Sequence, residues 1–288
     1  MSLNMVVIII AILLVLYGVI NPLLRKQEKA EHQLLQKSKE SKESVSYARH
    51  IQDAILPKES EFSGAFSEVF ILNQPKDIVS GDILWSHKRG NKTFVALLDC
   101  TGHGVLGAFI TFLAYDALNR IVVNEKIESP TQVLERLDTD LKGTLMKEAN
   151  HGYMHGLDIG FCLFDFDNMI LTYSGARHQM LMINGELNLT KGNRRSIGEN
   201  FRKHLPGFTE IELAFSKTDN FYLWTDGIPD QFGGPNDKKL SAKRLISMLD
   251  DVSGYTLAQQ KKILSYKIDQ WIKNREQVDD IFLVGLRA

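Results

Sequence analysis

The stretch LLDCTGHGVLGAF, residues 97–109, joins an apolar run to a glycine-rich turn and a second apolar segment. The run from Thr93 predicts a strand that ends at Asp99, and the segment from Gly104 to Val123 predicts a helix. A strand-to-helix turn of this kind suits three kinds of site: a dinucleotide-binding turn, a cysteine nucleophile, or a carboxylate that holds a metal. The residues around it decide between them.

Gly102, Gly104 and Gly107 spell G-x-G-x-x-G, the dinucleotide-binding fingerprint. That fingerprint also needs a second strand that ends in an acidic residue about 20 residues further on. Glu125 and Glu128 instead follow an uninterrupted helical stretch. A dinucleotide-binding oxidoreductase therefore remains an alternative that lacks half of its motif.

Two further motifs each lack a defining residue. Cys100 opens the loop as a phosphatase nucleophile would, but Leu106 stands where C-x5-R needs arginine. Asp165 and Asp167 form D-x-D, but Met169 replaces the expected threonine, so we predict a hairpin turn there.

Three histidines are weak candidates for metal or catalytic roles. His151 and His155 have the spacing of zinc ligands on a helix, but Gly152 and Gly156 argue against a helix, so we expect loop residues in segment 150–156. We expect His103 to be a loop residue that forms local hydrogen bonds.

Four aspartates in strand-end or turn contexts are the candidate metal ligands: Asp82 in VSGD, Asp99 in LLDCTGHG, Asp226 in LWTDG and Asp279 in QVDD. Carboxylates from separate elements that converge on one point suit hard divalent cations. Oxygen ligands alone favour Mg²⁺ or Mn²⁺ over zinc. The sequence therefore predicts a metal-dependent hydrolase.

Composition narrows the classes of partner and compartment. The chain has 34 basic and 35 acidic residues and a net charge of -1, which gives no field for recruiting nucleic acid. Cys100 and Cys162 lie in apolar runs, as expected of buried thiols in a reducing compartment.

The amino terminus predicts a membrane anchor over residues 1–24. Met5 to Ile20 carries no charge, and such a run is about the length needed to cross a bilayer. Arg25, Lys26 and Lys29 follow at once, so the positive-inside rule places the rest of the chain in the cytoplasm. We expect a single-pass protein of the inner or cell membrane.

Residues 25–56 predict a polar linker helix, because Gly and Pro are absent until Pro57 and Lys, Glu, Gln and Ser abound. Its apolar positions form a broken heptad, which is compatible both with a homodimeric coiled coil and with a solvated helix. The apolar stripe tightens from Val45 to Leu56, where we expect docking on the following domain.

Residues 57–288 predict one α+β domain. Many short strands separated by turn residues, with helices grouped in pairs, indicate an antiparallel sandwich flanked by helices rather than alternating βαβ units.

From residue 52 onwards the chain resembles the SpoIIE/RsbU-type branch of the PPM metal-dependent serine/threonine protein phosphatases. The matching stretches, in family order, are AILP (54–57), PKDIVSGD (75–82), LLDCTGHGVLGAF (97–109), GLDIGFCLFD (156–165), YSGARH (173–178), LWTDGIPDQFGG (223–234) and DDIFLVGL (279–286). The family fold, two antiparallel sheets face to face with helices outside, agrees with the prediction made from the residues.

The resemblance implies that Asp99 bridges two Mn²⁺ or Mg²⁺ ions, that the carbonyl of Cys100 serves one of them, and that Asp226 and Asp279 serve the other. Asp82 would contribute directly or through water. Asp280 is the alternative to Asp279, although the family pattern favours the first of the pair. The resemblance assigns no chemical role to the stretch 174–178.

Phe282 stands where the family often has threonine, and Leu106 where it often has proline; neither is a metal-ligand position. The implied activity is hydrolysis of phosphoserine or phosphothreonine on a cytoplasmic regulatory protein, with a phosphorylated STAS-domain anti-sigma-factor antagonist as the substrate. A catalytically silent, membrane-tethered adaptor with the same fold is the alternative from another functional class.

Overall fold

A computed structural model of the chain describes residues 3–100, 102, 104–145, 156–198 and 206–288. By its internal contacts the chain divides into two compact units, Met1–Ala48 and Arg49–Ala288. Helix α1 runs Leu3–Ile55, so the helix predicted for the linker is confirmed. The proposed domain boundaries after residues 24 and 56 remain predictions.

Twelve strands lie in the described part of the second unit. They are β1 (Glu68–Gln74), β2 (Asp82–Arg89), β3 (Lys92–Cys100), β4 (Leu157–Asp165), β5 (Ile170–Ala176), β6 (Gln179–Ile183), β7 (Leu187–Lys191), β8 (Glu210–Ala214), β9 (Asn220–Trp224), β10 (Phe232–Gly233), β11 (Lys238–Lys239) and β12 (Ile281–Arg287). The first sheet has the order β1-β12-β9-β6-β7 and the second β2-β3-β4-β5-β8, while β10 and β11 form a small hairpin. All pairs within the two large sheets are antiparallel.

Helices cover both outer faces. They are α2 (Gly104–Leu118), which continues as a π-helical segment Asn119–Asn124, α3 (Pro130–Leu145), the short α4 (Gly227–Asp230), α5 (Ala242–Val252) and α6 (Leu257–Ile272). A 3₁₀ turn, Glu59–Phe62, precedes β1.

Three apolar clusters arrange these elements into four layers. The central cluster joins residues of both sheets, such as Leu97 and Phe164 of the second and Leu223 and Val284 of the first. A second cluster packs the other face of β2 to β4 on α2 and α3, and a third packs the first sheet on α5 and α6. Because the central strands of each sheet are buried on both faces, the predicted α+β sandwich with outer helices is confirmed.

Aromatic rings strengthen the contact between the sheets. The ring centroid of Phe164 lies 5.0 Å from that of Phe221 and 4.9 Å from that of Phe66, and both pairs are edge to face. Such pairs contribute about 0.5–1.5 kcal/mol beyond the burial of their apolar surface. The sandwich therefore has a rigid centre from which its strand ends project.

The last turn of α1 belongs to the second unit. Gln52 is fully buried, and Ile55 and Leu56 pack against the core. The docking predicted for Val45 to Leu56 is therefore confirmed for the last turn of the helix, which lies within the second unit.

One helix of the described residues, Gly104–Asn124, has the length and apolar composition of a membrane span. Half of it is buried inside the second unit, as expected of a core helix. The anchor predicted for residues 1–24 remains a prediction.

Candidate metal centre

Three carboxylates stand side by side at one end of the second sheet. Asp82 begins β2 and pairs in register with Asp99 of β3, and Asp99 pairs in turn with Asp158 of β4. Side chains directly opposite on antiparallel strands have Cβ atoms about 4.5–5.5 Å apart. The register alone therefore sets three negative charges in a row.

The first sheet supplies the other aspartates. Asp226 follows β9 and Asp279 precedes β12, its antiparallel neighbour. The backbone N–H of Asp226 donates to Asp99 Oδ2 at 3.3 Å, which links the two sheets at the site. Gly227 permits the close approach of the Asp226 and Asp279 segments, since a Cβ there would lie 1.9 Å from the carbonyl oxygen of Asp280. The four aspartates that the sequence singled out thus meet at one end of the sandwich.

Burial and mutual repulsion shift these carboxyl groups. The pKa of Asp82 is raised well above its usual value by burial and by Asp99, and that of Asp99 by burial and by Asp226. Burial, with Asp279 nearby, raises the pKa of Asp226 to about 6. Carboxylates that repel one another at close range are unfavourable unless a cation compensates their charge. The cluster therefore indicates a cation-binding site.

One buried atom supports this fit. Asp82 Oδ2 is buried and accepts no hydrogen bond in the described residues. An unpaired buried oxygen is costly unless it meets a donor, a water or a cation. The oxygens around the Asp82 carboxyl group come from carboxylates, the backbone and the Thr225 hydroxyl, a set that suits Mg²⁺ or Mn²⁺.

The described residues contain no group of three acidic, histidine or cysteine side chains already close enough to hold an ion by themselves. Magnesium commonly keeps several waters and binds through one or two carboxylates. Such a site needs no closed cage of side chains, and its carboxylates repel one another until a cation is bound.

Asp280 has a different task from Asp279. Its two oxygens accept the backbone N–H groups of Lys76 and Gly81, each at 2.7 Å. Both oxygens therefore hold the loop that leads to Asp82. Asp279 is half-buried and remains the candidate ligand of the pair, with Oδ1 accepting the N–H of Asp280 at 2.8 Å.

Cys100 cannot act as a nucleophile in this setting. Its side chain is buried in the core, and burial, followed by the charge of Asp99, raises the pKa of the thiol well above its usual value. The thiolate is the reactive form, so this thiol is inert. Its carbonyl oxygen would lie 3.1 Å from a Cβ at Gly81, which places it beside the strand that starts with Asp82.

The glycine turn serves close packing. Gly102 and Gly104 have φ of +92° and +70°, a region that non-glycine residues seldom adopt. A Cβ at Gly107 would lie 2.2 Å from the carbonyl oxygen of Gly102. Both neighbours of β3 are antiparallel, so the parallel βαβ unit of the dinucleotide alternative is not formed here.

Several smaller predictions can also be placed. Asp165 Oδ1 accepts the N–H groups of Asp167 and Asn168, which confirms a hairpin turn. His103, His151 and His155 lie outside the described residues.

Sequence reasoning missed two contributors. Asp158 lies in the quoted stretch GLDIGFCLFD, and its position opposite Asp99 was visible only once the register was known. Ser196 donates to Asp158 Oδ1 at 2.5 Å from a loop without any motif.

Comparison with known proteins matches residues 89–288 to the family model described as Stage II sporulation protein E (SpoIIE). The chain belongs to the SpoIIE family. Members of this family are metal-dependent PPM phosphatases, and the chain is a protein serine/threonine phosphatase.

Solved structures share the fold of this chain. The SiaA-PP2C domain of Pseudomonas aeruginosa is 29% identical with a TM-score of 0.78, and the match covers 88% of this chain and 98% of that one. The PP2C phosphatase domain of SpoIIE from Bacillus subtilis, solved with a fragment of its regulatory domain, is 15% identical with a TM-score of 0.59, covering 76% and 62%. RsbX in complex with magnesium is 15% identical with a TM-score of 0.51, covering 77% and 95%. A search of curated proteins gave no match.

Proposed function

We propose that this SpoIIE-family chain is a membrane-anchored phosphatase that hydrolyses phosphoserine or phosphothreonine on a cytoplasmic regulatory protein, with water activated by two divalent cations. The observation that carries the proposal is the meeting of Asp82, Asp99, Asp226 and Asp279 at one end of the sandwich, with a buried Asp82 oxygen that accepts no hydrogen bond.

Each aspartate would have its own task. Asp99 lies between the carboxylates of both sheets. It would bridge the two ions, and the Cys100 carbonyl would serve one of them. Asp226 and Asp279 would hold the other ion, and Asp82 would act directly or through water. When bound, a pair of Mn²⁺ or Mg²⁺ ions supplies a polarised water and neutralises charge on the phosphoryl oxygens. Asp226 is partly buried but keeps solvent-exposed surface, which leaves the centre open to a substrate.

The direct test is phosphate release from a phosphoserine peptide by the full chain with added Mn²⁺. We expect Asp99→Asn to lower the rate about 100-fold or more, since it removes a charge from the centre. Asp165→Asn, in the exposed hairpin turn, is the matched control and should keep wild-type activity. Activity that survives EDTA or Asp99→Asn would refute the proposal.

For the substrate we propose a phosphorylated STAS-domain protein of a partner-switching pathway. The resemblance to RsbU-type phosphatases suggests it, and a solved structure of RsbU and RsbW domains from Mycobacterium tuberculosis matches the fold of this chain over 59% of its own length, at 17% identity. Phosphoproteomics on cells with wild-type or Asp226→Ala protein tests the proposal. Accumulation of a phosphoserine or phosphothreonine on such a protein supports it, and an unchanged phosphoproteome contradicts it.

Residues 1–24 would anchor the chain, and the helix that follows would carry regulation or a homodimer contact. The support is the uncharged run Met5 to Ile20 and the three basic residues that follow it. Membrane fractionation tests this: the full chain should sediment with membranes and stay there in high salt, and a variant lacking 1–24 should be soluble. Equal distribution of both variants would refute the anchor.

The second candidate function is a catalytically silent adaptor that only binds partners. It is favoured because the described residues contain no group of three side chains close enough to hold a metal ion. It predicts partner binding with no divalent-dependent phosphate release. The peptide assay separates the two functions.

A further inference from the structure

Gln231 follows the short helix α4, which begins directly after Asp226, and its side chain is fully buried. Nothing in the sequence assigned it a role, although it lies within the stretch LWTDGIPDQFGG. In the chain it lies between Asp226 and Asp279, the two proposed ligands of one ion, and this position suggests a role in the metal centre.

The amide of Gln231 holds the segment that leads to Asp279. Gln231 Oε1 accepts the N–H of Val278 at 3.0 Å. Nε2 donates to the carbonyl of Glu276 at 3.1 Å and to that of Phe232 at 3.0 Å. The amide thus ties residues on both sides of position 277 to the end of α4.

The backbone of Gln231 is fixed as well. Its carbonyl accepts the N–H of Leu240 at 2.9 Å and the indole Nε1–H of Trp271 at 3.1 Å. Its own N–H donates to the carbonyl of Ile228 at 3.3 Å. A side chain on so restrained a residue has little freedom, so it can set the position of the segment it binds.

The Asp226 and Asp279 segments also meet through backbone packing, where Gly227 touches the backbone of Asp279 and Asp280. Gln231 adds a further attachment between the same two segments, beyond the hydrogen bonds that join Thr225 to Phe282. Its bonds lie outside the pairing of β9 with β12, which ends at Trp224 and Leu283, so they hold the part of the Asp279 segment that the sheet does not.

We propose that Gln231 is a positioning residue of the metal centre, which holds Asp279 at the distance from Asp226 that one divalent cation requires. This inference rests on the proposed function. Residues that orient ligands in this way typically change metal affinity about 10- to 100-fold when they are mutated.

Gln260 offers a matched control. It is also fully buried and also makes three side-chain hydrogen bonds, to the hydroxyl of Tyr222 and the carbonyls of Ser253 and Tyr255. It lies on α6, whose buried face packs on the first sheet, and it contacts none of the proposed ligands. Gln231→Leu and Gln260→Leu therefore remove equivalent bonds, and only the first removes bonds to the segment that leads to Asp279.

The experiment titrates Mn²⁺ into each full-length protein and follows the free-ion signal by electron paramagnetic resonance. We expect two bound ions in the wild type and in Gln260→Leu. In Gln231→Leu, binding of one of the two should weaken about 10- to 100-fold. Thermal unfolding without metal should show similar losses of stability in both variants.

Equal Mn²⁺ affinities for Gln231→Leu and Gln260→Leu would overturn the role of Gln231 while leaving the proposed function intact. A wild type that binds no Mn²⁺ would overturn the proposed function itself. If Gln231→Leu does not fold, Gln231→Glu serves instead. This substitution keeps the acceptor for the Val278 N–H but sets an oxygen against the Glu276 carbonyl. It should also weaken the binding of one Mn²⁺ ion.

Discussion

Gln52 and Ser80 are joined by two hydrogen bonds: Gln52 Nε2 donates to the Ser80 carbonyl at 2.7 Å, and the Ser80 N–H donates to Gln52 Oε1 at 2.9 Å. The Ser80 hydroxyl in turn accepts the N–H of Asp82 at 3.0 Å. The last turn of α1 is thereby connected to the proposed metal ligand Asp82 through two residues.

Replacing Gln52 should destabilise the protein. Gln52→Ala leaves the buried N–H and carbonyl of Ser80 without partners, which costs about 2–4 kcal/mol in free energy of unfolding. Urea denaturation of the full chain measures this change.

Gln36→Ala is the control for Gln52→Ala. Gln36 is an exposed glutamine of α1 whose amide bonds Glu40 at 3.0 Å, and its loss should change stability by less than about 0.5 kcal/mol. If the Gln52→Ala protein is as stable as Gln36→Ala, the hydrogen bonds between Gln52 and Ser80 do not stabilise the fold.

Metal binding should stabilise the fold. The clustered carboxylates repel one another without a cation, and any ion that binds only the folded state raises the unfolding temperature with its concentration. Thermal unfolding should shift upward on adding Mn²⁺ or Mg²⁺ to EDTA-treated protein. The shift should be lost in Asp99→Asn and kept in Asp165→Asn; a shift of equal size in both variants would contradict a site at Asp99.

The aspartates could be predicted from the sequence because each sits in a local pattern of an apolar run, a turn residue and an acid. The sandwich could be predicted because its strands are short and apolar. Strands β7 and β8 are hard to predict from the sequence, since LNLTK and EIELA lie at sheet edges and most of their residues are exposed. Asp158 was missed because only the pairing of β3 with β4 sets it opposite Asp99. Gln231 acts through a contact 47 residues away in the chain, which no local pattern encodes.

The burial of His178 should make the stability of the fold depend on pH. The ring is buried, with Nδ1 close to Gly160, and burial lowers its pKa from 6.5 to about 4. The unfolded chain thus gains a proton near pH 6.5 and the folded chain only near pH 4. The free energy of unfolding therefore falls as pH drops through this range, by about 3 kcal/mol in total from this group.

The comparison with His178→Asn isolates that contribution. Between pH 6.5 and 4, the slope of unfolding free energy against pH should be smaller in the variant than in the wild type, while titrating carboxylates contribute equally to both. Urea denaturation at several pH values measures the slopes. Identical slopes would mean that His178 takes up its proton equally in the folded and unfolded chains.

Gly227 should tolerate no side chain. A Cβ at this position would overlap the Asp280 carbonyl, so Gly227→Ala must push apart the segments that carry Asp226 and Asp279. We expect a loss of about 1–3 kcal/mol in stability and a weaker response to Mn²⁺. Gly254→Ala, where a Cβ meets nothing within 4 Å, is the control and should behave as wild type. Wild-type Mn²⁺ affinity in Gly227→Ala would contradict the proposed role of this close approach.

Anomalous scattering from crystals soaked in Mn²⁺ would show directly whether the four aspartates bind cations. We expect two peaks about 3.5–4 Å apart, with Asp99 between them and Asp226 and Asp279 beside one of them. Crystals that diffract well and show no manganese among Asp99, Asp226 and Asp279 would contradict this expectation.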